Sequence, residues 1–386
     1  MEIKINPENR SKNKKILKII AIIMLVCVFF SAIILYVTNE NIRSYVDYNI
    51  LNKVVEERHS REIELDSENI SFICSYGNYI CVLNNNILKI YNSNAKSEIE
   101  LNIAITEPIF DSNNKYLLIA EKNGKKLYMV SGKNIIWQTD VEGEISNINV
   151  NKNGYVSVIV STNTYKTVVI TINPQGKEMF RTFIANAYAI DTDISNDNKF
   201  LAIAEINTEG TKTESGVRIY SIEKDMENSL LKKIKANNNQ IITSIKYNDS
   251  NKLIAMYNDE IKTLDINEES TILKFDSETL FADIGLNNSI VKTSQTSTDN
   301  EKSRTITNII NTTNKGQAKF EIEAIPKHIL TNKNIVAVNT GMEAYFITEN
   351  AWLRKKYVSS QEIKDIVLAE NIAGIVYKNK INIVKL

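Results

Sequence analysis

Acidic side chains that could together hold a hard cation come closest in the run DTDISND, where Asp191, Asp193 and Asp197 follow at short spacing. Alternating oxygen donors of this kind are what a calcium loop requires. A second run, NVNKNG from Asn149 to Gly154, shows the same alternation but has amides where carboxylates should stand. Both runs also fit hairpin turns, which select Asn, Asp and Gly for conformational reasons. Turn chemistry is the favoured reading, so no metal is expected and Asp191, Asp193 and Asp197 remain one weak candidate site.

Other reactive residue types are sparse. His59 and His328 are the only histidines, far apart and without Cys or His companions at ligand spacing, which excludes zinc chemistry. Cys27 lies in an apolar run, and Cys74 and Cys81 straddle a Gly77-Asn78 turn. A two-residue loop there makes Cys74 and Cys81 direct cross-strand partners, at a hydrogen-bonded pair where bridging geometry is awkward. Two buried thiols and one disulfide both stay open. No nucleophile elbow or Gly-rich phosphate loop appears, and 12 glycines leave little material for one. No basic, aromatic stripe suits nucleic acid, and 46 basic against 46 acidic residues give no global field. These absences point away from an enzyme and from a bound cofactor.

The elements that would position any site begin with a membrane span. Residues Ile19 to Val37 read IIAIIMLVCVFFSAIILYV without a charge, long enough as a helix to cross a ~30 Å hydrocarbon core. Lys4, Arg10, Lys12, Lys14, Lys15 and Lys18 precede it against Glu2 and Glu8, with no such excess after it. Basic residues stay inside, so the expected topology is a cytoplasmic tail (1–18), an uncleaved signal anchor (19–37) and an extracellular remainder at the cell membrane. Between them, 38–60 reads as a spacer or short helix, with Ile42, Val46, Ile50, Val54 and Val55 on one face.

From residue 61 onward one pattern recurs: an Asn-bearing turn, then a short β-branched run. Asn78, Asn114, Asn153, Asn198, Asn251, Asn288, Asn334 and Asn371 mark it at a spacing of roughly 42 residues, the length of a four-stranded propeller blade. Short apolar strands separated by polar turns predict an all-β, eight-bladed β-propeller over 61–386, with seven blades as the alternative. The last unit supplies only three candidate strands before Leu386, and REIELD (61–66) stands alone ahead of the first. Pairing the two would close the ring without an exposed edge.

LYMVSGKNIIWQTDV (127–141) resembles the repeat of quinoprotein-type, PQQ-like propellers, and YFITENAWLRKKYV (345–358) repeats it. The resemblance implies that Trp137 and Trp352 are structural, docking neighbouring blades. The whole chain resembles membrane-anchored propellers of Gram-positive anaerobes with PQQ-like or WD40-like repeats, a likeness that speaks to fold rather than activity. A quinone site needs more aromatic and acidic groups than these two tryptophans supply.

Two long polar loops, NTEGTKTES from Asn207 and SQTSTDNEKS from Ser294, join second and third strands of their blades and so share one face. Insertions in repeat proteins collect on binding faces, which makes Glu209, Glu214, Asp299 and Glu301 the candidate contact residues. The expected function is a membrane-anchored scaffold binding an unknown protein or cell-envelope component. The alternative is an envelope enzyme or a cofactor- or ligand-dependent sensor of quinoprotein type, which a carboxylate-lined channel would favour.

Overall fold

The chain was analysed as a computed structural model describing residues 7–39, 42–43, 46–51, 61–66, 70–224, 228–266, 268–296 and 303–386. His59, Asp299 and Glu301 lie outside these residues, as does much of the 38–60 segment. A single helix, α1 (Pro7–Thr38), opens the chain, with Pro near its start where a missing N–H does no harm. Ile20–Thr38 is long and apolar enough to cross a membrane, and none of the described residues covers it. The helix reaches back to Pro7, so part of the basic tail continues the same rod. Beyond it, Val46–Ile50 forms one π-helical turn rather than a regular amphipathic helix.

Strands β1 (Arg61–Glu64) to β32 (Lys380–Lys385), numbered in chain order, build eight four-stranded antiparallel sheets. The fold is an eight-bladed β-propeller, and the seven-bladed alternative falls. Seven blades use four consecutive strands. The eighth runs β30 (Asp365–Leu368), β31 (Ile372–Val376), β32, β1 from channel to rim. Arg61 pairs with Ile383 and Ile63 with Ile381, and Lys380 Nζ binds Glu62 Oε1 at 2.7 Å. The outer edge of β32 is thereby covered and the ends of the domain are tied together.

The core is divided among the seams. Eight separate apolar clusters occur, one between each pair of neighbouring blades. Middle strands such as YLLIAE (116–121) and TVVITI (167–172) are buried on both faces, hence their unbroken β-branched and aliphatic runs. Each fully buried Leu or Ile contributes about 1.5–3 kcal/mol. The seam between blades five and six, built on Ile254, Ile261, Ile284, Ile290 and Ile310, has the smallest buried set.

Asn carries the first turn of each blade in a different way from the sequence expectation. Among the eight markers only Asn198 and Asn251 take positive φ, while Gly77 and Gly154 supply it in their own turns. The amides instead cross the seams. Asn153 Nδ2 donates to Asn196 O (2.8 Å), Asn196 Nδ2 to Asn248 O (2.7 Å), and Asn371 N–H to Asn78 Oδ1 (3.1 Å).

Candidate functional site

A radial stack of sheets leaves each innermost strand with one unpaired edge facing the axis. Those edges carry backbone N–H groups that need acceptors, because a buried unmade hydrogen bond is costly. The innermost strands include β2 (Ile70–Tyr76), β6 (Pro108–Ser112), β10 (Glu144–Val150), β14 (Tyr188–Ile194), β18 (Ile242–Tyr247), β22 (Thr279–Asp283) and β26 (His328–Asn332). With β30 they enclose a central channel of about 600 Å³.

Aspartates answer the unpaired donors by reaching across a seam. Asp111 on β6 accepts from Val150 N–H of the next blade (2.7 Å) and from Ser112 N–H (2.9 Å). Asp191 on β14 accepts from Ile245 N–H (2.8 Å) and Thr192 N–H (2.9 Å). Asp193 accepts from Tyr247 N–H (2.5 Å) and Ile194 N–H (2.9 Å). In each case one carboxylate oxygen serves its own strand and the other serves the neighbouring blade. Asp283 accepts from Gly285 N–H (2.6 Å), and Lys246 Nζ donates to Gly285 O (2.5 Å) across the next seam. Other seams use neutral groups: Ser112 Oγ to Ser75 O, Asn147 Nδ2 to Ile190 O, and Asn332 Nδ2 to Leu368 O.

Burial sets the electrostatics of this ring. Asp111 and Asp191, enclosed by the ring while bordering the channel, are pushed up to about 6 by desolvation, against the amide hydrogen bonds that favour their charge. Asp193, only 7% exposed, is pushed up to about 7 by the same cause. Desolvation also raises Asp283. These carboxylates share the channel wall with Asp249, Asp365 and three lysines, of which the Lys246 ammonium favours ionisation of Asp111, Asp193 and Asp283.

The sequence candidates distribute unevenly. Asp191 and Asp193 line the channel, whereas Asp197 sits in the following turn, accepting from Ser195 Oγ at 2.5 Å. Among the described residues no group of three or more His, Cys, Asp or Glu could hold a metal ion. In the NVNKNG run, Asn151 Oδ1 accepts from Asn153 and Tyr155 N–H, building the turn. Cys74 and Cys81 are cross-strand partners with free, buried thiols, and burial pushes Cys74 well up from its usual range. Trp137 lies on the outer strand of blade two, far from the channel lining. Its Nε1 donates to Pro174 O (3.1 Å) of blade three, and a Cβ on Gly176 would meet its ring at 2.9 Å. Trp352 occupies a turn of blade seven with 49% exposure. Neither tryptophan can stack on a group in the channel, so the residues present do not fit a quinone. Glu209 pairs with Lys166 (2.8 Å) and Glu214 faces Lys235 (4.0 Å), both beside the second-to-third-strand loop of blade four.

The face bearing that loop also carries the connections between blades, and exposed apolar residues collect there. Tyr188, Ile241, Ile325, Met342 and Val358 are exposed at the strand ends and connections on this side. Phe110, midway along β6, is instead 41% exposed where it borders the channel, and it stacks on Phe72 of blade one with centroids 5.0 Å apart.

The profile of a family of unknown function, DUF5711, matches residues 41–386. The chain belongs to the DUF5711 family. No curated protein matches by sequence. Among solved structures, the C-terminal WD40 domain of Sif2 is similar, with TM-score 0.60 and 13% identity over 86% of this chain and 99% of that one. Chaetomium thermophilum Sqt1, bound to the N-terminus of the ribosomal protein L10, is similar with TM-score 0.53 and 8% identity over 85% of this chain and 100% of that one. At such identities the likeness is one of fold: this DUF5711 chain is a WD40-like propeller.

The sequence reading missed Asp111, Asp283 and Lys246. A signal for the two aspartates was present: PIFDSNN, DTDISND and FADIGLNN all place Asp just before the Asn turn, towards the end of an innermost strand.

Proposed function

We propose that this DUF5711 chain is a single-pass, N-in membrane protein that presents its propeller outside the cell as a binding or assembly scaffold for a protein or envelope component. The observation that carries the reading is the set of exposed apolar residues Tyr188, Ile241, Ile325 and Met342 on the face that also holds the blade-four insertion. Exposed apolar groups gathered on one face are the usual basis of a protein contact. Sqt1, a propeller of the same fold, holds a protein N-terminus. The apolar α1 and the basic residues before it support the anchor and its orientation.

One observation favours the second reading, a ligand-dependent sensor or envelope enzyme: the channel is ringed by carboxylates. Against it, both oxygens of Asp111, Asp191 and Asp193 already accept backbone amides. A carboxylate so bound is a fixed acceptor rather than an available base, nucleophile or ligand.

The test is crosslinking in native membranes followed by affinity purification. Substituting Glu209 and Glu214 together with Asp299 and Glu301, or Ile325 alone to Ser, should lower partner recovery. Stability should change by less than ~0.5 kcal/mol for the loop set. Recovery of every partner at wild-type levels from both variants would show that this face is not the binding face.

A further inference from the structure

We propose that the exposed apolar residues where the anchor meets the propeller, Trp352, Ile50 and Leu51, form a second membrane contact that seats blade seven on the surface of the bilayer spanned by α1. The inference rests on the membrane reading above and adds to it a part of the propeller that touches lipid.

Helical hydrogen bonding continues past the span, with Asn39 N–H donating to Leu35 O and Arg43 N–H to Asn39 O, both 2.9 Å. Arg43 therefore lies a little over one turn beyond Thr38, the last residue of the apolar window. At about 1.5 Å per residue it stands about 7 Å above the hydrocarbon boundary, among the headgroups. The chain then folds back. Tyr36, inside the apolar window, donates from Oη to Asp47 Oδ1 (2.7 Å), which holds the π-helical turn beside the end of α1. Leu51 N–H closes that turn on Val46 O (2.8 Å). Ile50 and Leu51 are thereby kept within one turn of Asp47, and they are 62% and 50% exposed.

The propeller meets this turn at blade seven. The turn packs on β29 (Leu353–Val358), and Arg43 and Asp47 share a cleft of about 630 Å³ with Arg354 and Lys355 at the start of that strand. Trp352 immediately precedes the strand, in the reversal from β28 (Glu343–Thr348). Its backbone is fixed on both sides: Trp352 N–H donates to Thr348 Oγ1 (3.3 Å), and Thr348 N–H donates to Trp352 O (2.9 Å). Ala351 takes φ 58° to make the reversal. A pinned turn thus presents an indole, 49% exposed, at the depth where the headgroups lie.

Tryptophan suits that depth because its ring is apolar and its N–H is polar, and it concentrates at membrane–water interfaces for that reason. Ile50 and Leu51 add aliphatic surface beside it. Continuity with the span selects the bilayer as the occupant: lipid always adjoins the end of α1, whereas a second copy of the chain would have to be recruited. The exposed loop-face residues Tyr188, Ile241, Ile325 and Met342 lie at the opposite ends of the strands, so a seated propeller turns its binding face away from the membrane.

The full chain in phosphatidylcholine nanodiscs tests this by fluorescence, because Trp137 and Trp352 are the only tryptophans. Trp137→Phe isolates Trp352, and the difference between wild type and Trp352→Phe gives the same emission with the Trp137 seam intact. Phosphatidylcholine brominated high on its acyl chains should quench most of the Trp352 emission, and bromines near the chain ends should quench less. Aqueous acrylamide should quench it weakly. Trp137, read in Trp352→Phe, should ignore the bromines. Ile50→Ser with Leu51→Ser should weaken lipid quenching of Trp352 and raise acrylamide quenching, with the melting temperature unchanged. A Trp352 open to acrylamide and untouched by every brominated lipid would overturn the proposal. Shielding from both quenchers, with two chains per disc by native mass spectrometry, would assign the surface to a second copy and overturn the lipid contact. Failure of the chain to enter discs would instead refute the membrane reading itself, so the two failures are distinguishable.

Discussion

Asp193 should make the propeller more stable in mild acid than in mild base. Its carboxyl is buried between blades four and five and is raised from 3.8 to about 7 by desolvation. A raised acid pKa means that the folded state holds the proton more tightly than the unfolded chain. The stabilisation is complete below the unfolded pKa near 3.8 and is lost as pH rises through about 7. Between pH 5 and pH 8 nearly two pH units of differential proton binding accumulate. At about 1.36 kcal/mol per unit, that is about 2.5 kcal/mol of stability lost from this one group.

The perturbation is Asp193→Asn, read by urea unfolding of the detergent-solubilised chain at both pH values. The amide cannot ionise, and its Nδ2 cannot accept from Tyr247 N–H as the carboxylate oxygen does. At pH 5 the variant should be less stable than wild type by about 1–3 kcal/mol, the cost of one unmade buried bond. At pH 8 the deficit should shrink by about 2.5 kcal/mol, because wild type alone carries the ionisation penalty. Asp111 and Asp191 remain in both proteins and border the channel, so their contributions cancel in the comparison. An identical deficit at the two pH values would refute the reasoning, because Asp193 would then titrate alike folded and unfolded.

Trp137→Ala should cost about 2–3 kcal/mol, somewhat below a fully buried tryptophan, because its ring is only partly buried between blades two and three; thermal melting checks it. Trp352→Ala, at 49% exposure, should shift the midpoint far less. Deleting Arg61–Asp66 should uncover β32 and promote aggregation, read by light scattering; an unchanged melting profile would show that β1 does not hold the ring closed. Protease added to intact protoplasts should digest the chain beyond about Tyr45 and spare the basic tail, and a protected propeller would reverse the orientation.

The blade count was legible because each turn combines a sharp reversal with a polar contact to the next blade. That double demand keeps an Asn in the first turn of every blade, at a spacing that averages roughly 42 residues, even though positive φ is needed at only Asn198 and Asn251 among the markers. Strands were legible from their β-branched and aliphatic runs, since two-sided burial leaves no polar alternation to read. What was not legible is which chain segments meet across a seam. Asp111 meets Val150, and Asp193 meets Tyr247, over separations of 39 and 54 residues.

This explains why DTDISND reads as a cation loop in one dimension and as a seam clasp in three. Alternation places Asp191 and Asp193 on the same side of β14, as a metal loop would need, but β18 of the next blade presents backbone N–H groups to that side. Two amide donors per carboxylate satisfy the oxygens that a cation would require, and they do so without importing a second charge. Asp197, three residues past the strand, joins its own turn instead, accepting from Ser195 Oγ and Lys199 N–H. Acidic residues at the channel ends of innermost strands therefore report, in this propeller, how the unpaired inner edge is closed. The surface left for recognition is one that the closure does not use: the exposed apolar residues on the loop face.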